Sequence, residues 1–160
     1  MKPISVLIID DHQLVAESIS AYLEDDGNLR VAGIASNGYE ALNLLPYEQV
    51  DVILMDIKLP GLNGIESTRF IKDHYPAVKV LGLSIFDNKE LILDMIRAGA
   101  SGFLLKSNAS EELKCAIRTL GKGGHYFSKE IRERMALEAS INNASVKSLE
   151  QSIYGQYLSA

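Results

Sequence analysis

The sequence predicts an α/β protein: a doubly wound, five-stranded parallel sheet with a helical extension at its carboxyl end. Three observations carry that expectation. Short apolar runs rich in branched aliphatics, such as Ile4-Ser5-Val6-Leu7-Ile8-Ile9 and Val52-Ile53-Leu54-Met55, read as strands buried on both faces. Between such runs lie stretches whose apolar residues recur at helical spacing. Turn and capping residues stand at the junctions. Strands and helices that alternate in this way build a parallel sheet with helices on both faces.

The first strand is Ile4 to Ile9. From Gln13 to Leu23, the residues Leu14, Val15, Ser18, Ile19 and Tyr22 recur at helical spacing, and Asp25-Asp26-Gly27-Asn28 ends that helix. Leu29 to Ala35 is the second strand. Asn37 caps a helix carrying Ala41, Leu42 and Leu45, which Pro46 stops. Asp51 to Met55 is the third strand, and the helix Ile65 to His74 ends before Pro76. Val78 to Leu83 is the fourth strand. Asn88 caps a helix through Leu91, Leu93, Met95 and Ile96 that ends at Ala98-Gly99. Ser101 to Leu105 is the fifth strand, and Ser110 caps a helix reaching Leu120-Gly121. Right-handed crossovers place the first strand centrally, with the third and fifth among its neighbours.

The glycines Gly121, Gly123 and Gly124 close this pattern, so a first domain is expected over 1–122 and an extension over 123–160. In the extension Ser128 caps a helix from Lys129 to about Ala139. Ser140-Ile141-Asn142-Asn143-Ala144-Ser145 reads as a linker. Leu149, Ile153 and Tyr157 mark a weakly amphipathic last piece, which Ser148 and Gln151 could open with a capping box.

Composition narrows the function. A length of 160 residues allows one domain with a substantial core and an appendage. A formal net charge of -5 argues against this chain itself gripping a nucleic-acid backbone, which takes surplus Lys and Arg. The single cysteine, Cys115, excludes an internal disulfide and suits a reducing compartment. Among Leu113, Ala116 and Ile117 it reads as inert packing. No apolar run approaches the roughly 20 residues that span a bilayer. A cytoplasmic chain with no membrane partner is expected.

The chemistry lies at the strand ends. Asp10-Asp11 ends the first apolar run, Asp56 ends the third strand, and Lys106 ends Gly102-Phe103-Leu104-Leu105. Three carboxylates and one ammonium would therefore meet at the carboxyl edge of the sheet, where open α/β folds place ligands. Clustered carboxylates suit Mg²⁺, a hard cation that prefers oxygen. The lysine suits a phosphate as a point charge. Phosphoryl chemistry at one carboxylate is the expectation. Singly, each residue has a plainer reading. Asp10 and Asp11 could cap a helix, Asp56 could serve a turn, and Lys106 could be solvated. Ser84 could satisfy the backbone and Phe103 could fill the core. Their convergence outweighs those readings. His12, His74 and His125 are scattered and show no metal-ligand spacing.

These residues, taken with Lys58-Leu59-Pro60-Gly61-Leu62-Asn63-Gly64 after Asp56, resemble the receiver domain of two-component response regulators over residues 3 to 122. Leu83-Ser84-Ile85 and Gly102-Phe103-Leu104-Leu105-Lys106-Ser107 resemble the NarL/FixJ branch of that family. The resemblance implies a flavodoxin-like receiver fold and a phosphoacceptor switch rather than an enzyme. Asp56 would accept a phosphoryl group from the phosphohistidine of a sensor histidine kinase or phosphotransfer protein. Asp11, Asp56 and the backbone carbonyl of Lys58 would ligate Mg²⁺, with Asp10 acting through water. Lys106 would pair with Asp56 and then with the phosphoryl oxygens. Ser84 would turn toward the new group, and Phe103 would swing inward behind it. Activation would promote a homodimer and, through a helix-turn-helix domain beyond this chain, DNA binding and transcription control.

Some positions depart from the family pattern. Lys58 and Phe86 are poor orienters of attacking water, and Ile85, in place of a small residue, would crowd the same entrance, so slow autodephosphorylation is expected. Phe103 replaces the more usual tyrosine. Residues 122 to 160 are too few for the helix-turn-helix domain of this branch. Ser152 to Leu158 faintly resembles the start of one, so the chain is expected to stop just inside an effector. A stand-alone receiver that works by protein contact is the alternative. A haloacid-dehalogenase-type phosphatase would need an aspartate where this chain has Lys58.

Overall fold

The computed structural model describes residues 2–59, 61–85 and 88–141. Six parallel strands form one sheet in the order β2-β1-β3-β4-β5-β6. They are β1 (Ile4–Ile9), β2 (Leu29–Ala35), β3 (Val52–Asp56), β4 (Lys79–Ser84), β5 (Gly102–Leu105) and β6 (Tyr126–Phe127). The helices are α1 (Gln13–Glu24), α2 (Gly38–Leu44), α3 (Gly64–His74), α4 (Lys89–Ala98), α5 (Ala109–Gly121) and α6 (Lys129–Ile141). A 3-10 turn, Lys106–Asn108, leads into α5. The expected tail helix, its capping box and its linker beyond Ile141 lie outside the described residues, as do Pro60 and Phe86.

The alternation of strand side chains sorts the core into two layers. Val6 and Ile8 of β1, Val52 and Leu54 of β3, and Leu104 of β5 pack with Ala16 and Leu23 of α1 and with Leu113, Ile117 and Leu120 of α5. Their neighbours Leu7, Ile9, Ile53, Met55 and Phe103 face the other way, onto Ala41, Ile71, Ile92 and Met95 of α2, α3 and α4. Both faces of the central strands are therefore buried. That is why these strands read as continuous apolar runs rather than alternating ones.

Asn37 and Asn88 cap where the sequence places them, Asn63 caps α3 unannounced, and the buried Ser128 hydroxyl, expected to cap α6, makes no hydrogen bond among the described residues. The side chains of Asn37, Asn63 and Asn88 accept the backbone N–H of Glu40 (2.9 Å), Glu66 (2.9 Å) and Glu90 (2.8 Å), which relieves orphan donors at three helix starts. Gly99 ends α4 at φ 111°, in the left-handed region that only glycine enters cheaply.

Several expectations need correction. β1 lies between β2 and β3, and β4 separates β3 from β5, so the fifth strand is not a neighbour of the first. The sheet has a sixth strand that the sequence does not announce. Tyr126-Phe127 pairs with Gly102-Phe103, and Phe127 and Ile131 are fully buried. The folded body thus continues past residue 122. Ser110 is not a cap, because the 3-10 turn at Lys106 already carries the backbone into α5. Ser110 instead uses its carbonyl to accept the Tyr22 hydroxyl at 2.8 Å. Lys114 stacks over the Tyr22 ring at 4.2 Å, and Arg118 pairs with Asp26, so three contacts tie α5 to α1. Cys115 is exposed rather than packed. In α1 the buried stripe runs through Ala16 and Leu23, which leaves Leu14 80% exposed. No helix among the described residues is long and apolar enough to cross a membrane.

One glycine holds the β3–α3 connection tight. A Cβ on Gly64 would lie 2.3 Å from the Asp56 carbonyl oxygen and 2.6 Å from the Ile57 Cα. Both are backbone atoms, so neither can rotate away. Gly64→Ala is expected to cost about 2 kcal/mol or more in urea unfolding, as overpacking of rigid neighbours does. The same change at exposed Gly27, where nothing lies within 4 Å, should be nearly silent.

Candidate functional site

Four strand ends build the site. Asp56 is the last residue of β3, and Asp10 and Lys106 each follow the last residue of their strand, β1 and β5. The numbering continues the alternation of Ile8, Leu54 and Leu104, so all three project toward the α1–α5 side of the edge. Ser84 closes β4 between them and is buried. The parallel sheet therefore converts residues far apart in the chain into one cluster. Although β4 intervenes, the long Lys106 side chain spans the gap.

Asp10 and Asp56 are buried, while Asp11 stays at the surface. The Lys106 ammonium donates to Asp10 Oδ2 at 3.0 Å and lies 3.5 Å from Asp56 Oδ2. Lys106 was expected to pair with Asp56; it bridges Asp56 and Asp10. Asp10 Oδ1 also accepts the backbone N–H of His12 at 2.9 Å. That bond lies in the loop before α1, and α1 has no side-chain cap. Capping therefore does not account for the acid pair.

Two buried carboxylates share one ammonium, with Asp11 beside them at the surface. Burial pushes the Asp56 carboxyl up from 3.8 to about 6; the charge on Lys106 opposes this, the Asp10 carboxylate adds to it, and hydrogen bonds from Lys106 and from the Lys58 N–H oppose it. Burial is the main cause, and the neighbouring Asp10 carboxylate is a smaller one. Carboxylate oxygens of Asp10, Asp11 and Asp56 and an imidazole nitrogen of His12 all lie within 4.8 Å of one another. The donor set is hard and anionic, and so fits a divalent cation. Beside it opens a shallow depression of about 520 Å³ bordered by Asp11, Lys58, Leu59, Ile65 and Leu91. Asp11 of the acidic cluster stands on its border.

The structure brings together Asp10, Asp11, Asp56 and Lys106, and sets Ser84 at the same edge. Lys58 is exposed at the mouth and Ile85 is 70% exposed; Phe86 lies outside the described residues. Phe103 is fully buried. A Cβ on Gly82 would fall 3.1 Å from its ring and 3.0 Å from the Met95 methyl, so the ring already occupies an inner position next to α4. Sequence reasoning missed His12. Its signal was adjacency to Asp10-Asp11, which spacing between histidines could not reveal.

Known proteins share this sequence pattern and this fold. The family profile described as the response regulator receiver domain matches residues 6–118. The response regulator UvrY of Escherichia coli (strain K12) is 39% identical over 134 residues, covering 84% of this chain and 62% of UvrY. The chain thus spans less than two thirds of that relative. The crystal structure of a LuxR-family two-component response regulator from Aurantimonas sp. SI85-9A1 superposes with a TM-score of 0.82 at 30% identity, covering 87% of this chain and 99% of that one. The isolated receiver domain of RcsB from Salmonella enterica serovar Typhimurium, solved with the phosphomimetic BeF3-, gives a TM-score of 0.76 at 26% identity, covering 82% of this chain and 98% of that one.

Proposed function

The chain belongs to the response regulator receiver family of two-component signalling, and from that premise we propose that Asp56 is its phosphoacceptor. The observation that carries the assignment is the placement of Asp56: a buried carboxyl at a strand end, 3.5 Å from Lys106 and clustered with the carboxylates of Asp10 and Asp11. A carboxylate oxygen of Asp56 attacks the phosphorus of a partner kinase's or phosphotransfer protein's phosphohistidine. The P–N bond breaks, the imidazole leaves, and an acyl phosphate remains. Such transfer needs alignment and charge neutralisation more than covalent help.

The chain's own residues supply most of that. Lys106, now shared between Asp10 and Asp56, turns to the phosphoryl oxygens. The Ser84 hydroxyl donates to one of them. Asp11, Asp56 and the Lys58 carbonyl would hold Mg²⁺, with Asp10 acting through water, and the ion would supply charge neutralisation there. The chain turns over no substrate beyond its own phosphoryl group. Lys58, Ile85 and Phe86 slow the attack of water on that group. Leu14 and Val15, exposed at the start of α1, give the kinase an apolar foothold close to the acceptor.

The output is a change of surface that promotes a homodimer, and in a longer protein it brings paired DNA-binding domains together to control transcription. The receiver is drawn at 1–122 and the extension at 123–160, with β6 of the extension completing the sheet. The single cysteine accords with a cytoplasmic site of action. The test is incubation with Mg²⁺ and acetyl phosphate, read by intact mass and light scattering. Wild type is expected to gain one phosphoryl group and a larger assembly size, and Asp56→Asn neither. A gain that persists in the variant would assign the acceptor elsewhere.

A further inference from the structure

We propose that His12 is a ligand in the acidic pocket and shifts its preference toward a divalent transition metal ion of the cobalt, nickel and zinc class. The inference rests on the reading that this pocket holds a cation. His12 follows Asp11 directly and stands at the position before α1, with φ -88° and ψ 96°. Its side chain makes no capping hydrogen bond to the helix. The imidazole points back to the carboxylates instead. Nδ1 lies 3.2 Å from Asp11 Oδ1 and 3.3 Å from Asp10 Oδ1. The ring is 68% exposed, so core packing does not set this orientation.

The chemistry of that contact depends on what Nδ1 carries. With a proton it donates to the two carboxylates. With a lone pair it faces two anionic oxygens and is repelled, unless a cation sits among them. A cation turns the same arrangement into a mixed nitrogen and oxygen site. Ligands held about 2.1 Å from an ion can lie at most about 4.2 Å apart, and the donor atoms of His12, Asp11 and Asp56 already lie within 4.8 Å of one another. Small rotations of the exposed His12 and Asp11 side chains close that difference. Mg²⁺ gains little from an imidazole, since it prefers oxygen and keeps its waters. Cobalt, nickel and zinc gain substantially. His12 therefore sets metal preference, while the carboxylates set the presence of a site.

Calorimetric titration with Mg²⁺ and, separately, Co²⁺ tests this on wild type and on the His12→Ala, Asp11→Ala and His74→Ala variants. The visible spectrum of bound Co²⁺ gives a second readout of nitrogen ligation. His12→Ala is expected to weaken Co²⁺ about tenfold, to change its spectrum, and to leave Mg²⁺ within about twofold. His74→Ala should change neither ion. Unchanged Co²⁺ affinity in His12→Ala, with Mg²⁺ binding still lost in Asp11→Ala, would overturn the role of His12 and leave the pocket intact. Equal weakening of both ions would also overturn it, since His12 would then act only by orienting the acids. If neither ion binds in an Asp11-dependent way, the pocket reading fails together with the inference.

Discussion

Asp56→Asn is expected to make the metal-free protein more stable at pH 7, by roughly 2 to 3 kcal/mol, while abolishing its capacity to take up a phosphoryl group. In the unfolded chain the Asp56 carboxyl ionises near 3.8; in the folded protein burial holds it at about 6. Below the lower value both states carry the proton, and the group adds no cost to folding. As the pH rises toward 6, the unfolded chain gives up its proton while the fold retains one, and stability falls. Above 6 the full cost is present. Asparagine has nearly the same shape and no charge, so it removes that cost. The stabilisation should be large at pH 7 and vanish well below pH 3.8, in paired urea titrations of the two proteins without divalent ions. Equal stability at pH 7 would mean that Lys106 compensates Asp56 fully. A buried acid kept at a cost in stability is expected where function rather than folding requires it.

Phe103→Ala is expected to cost about 3 to 5 kcal/mol. The ring is fully buried, and the space it fills exists because residue 82 is a glycine and because Met95 of α4 borders it. An aromatic ring that stood on the surface would be lost for well under about 1 kcal/mol, so chemical denaturation separates the two placements cleanly. Gly82→Ala should crowd the same place and cost about 1 to 3 kcal/mol, in the direction opposite to a cavity.

Legibility in the sequence followed the physics of each element. Strands β1 and β3 were readable because burial on both faces leaves them continuously apolar. Two helix starts, at Asn37 and Asn88, were readable because asparagine caps act locally. Asp10, Asp56 and Lys106 were readable as a site because a parallel sheet aligns strand ends, so position at the end of a run is itself three-dimensional information. Strand order was less so: nothing local in β5 says that β4 lies between it and β3. The short β6 was invisible, since Tyr126-Phe127 becomes a strand only by pairing with Gly102-Phe103. Tyr22 and Leu14 show the limit of periodicity. Both sit at helical spacing, yet one bridges to α5 and the other faces solvent, because the sheet covers only a narrow stripe of α1.

The most direct test of the assignment is reductive trapping. Borohydride converts an aspartyl phosphate to homoserine, and peptide mass spectrometry then locates it. After treatment with Mg²⁺ and acetyl phosphate, homoserine is expected at position 56 and at no other carboxylate. Homoserine at Asp10 or Asp11, or a borohydride-resistant phosphoryl group on Ser84, would contradict the account.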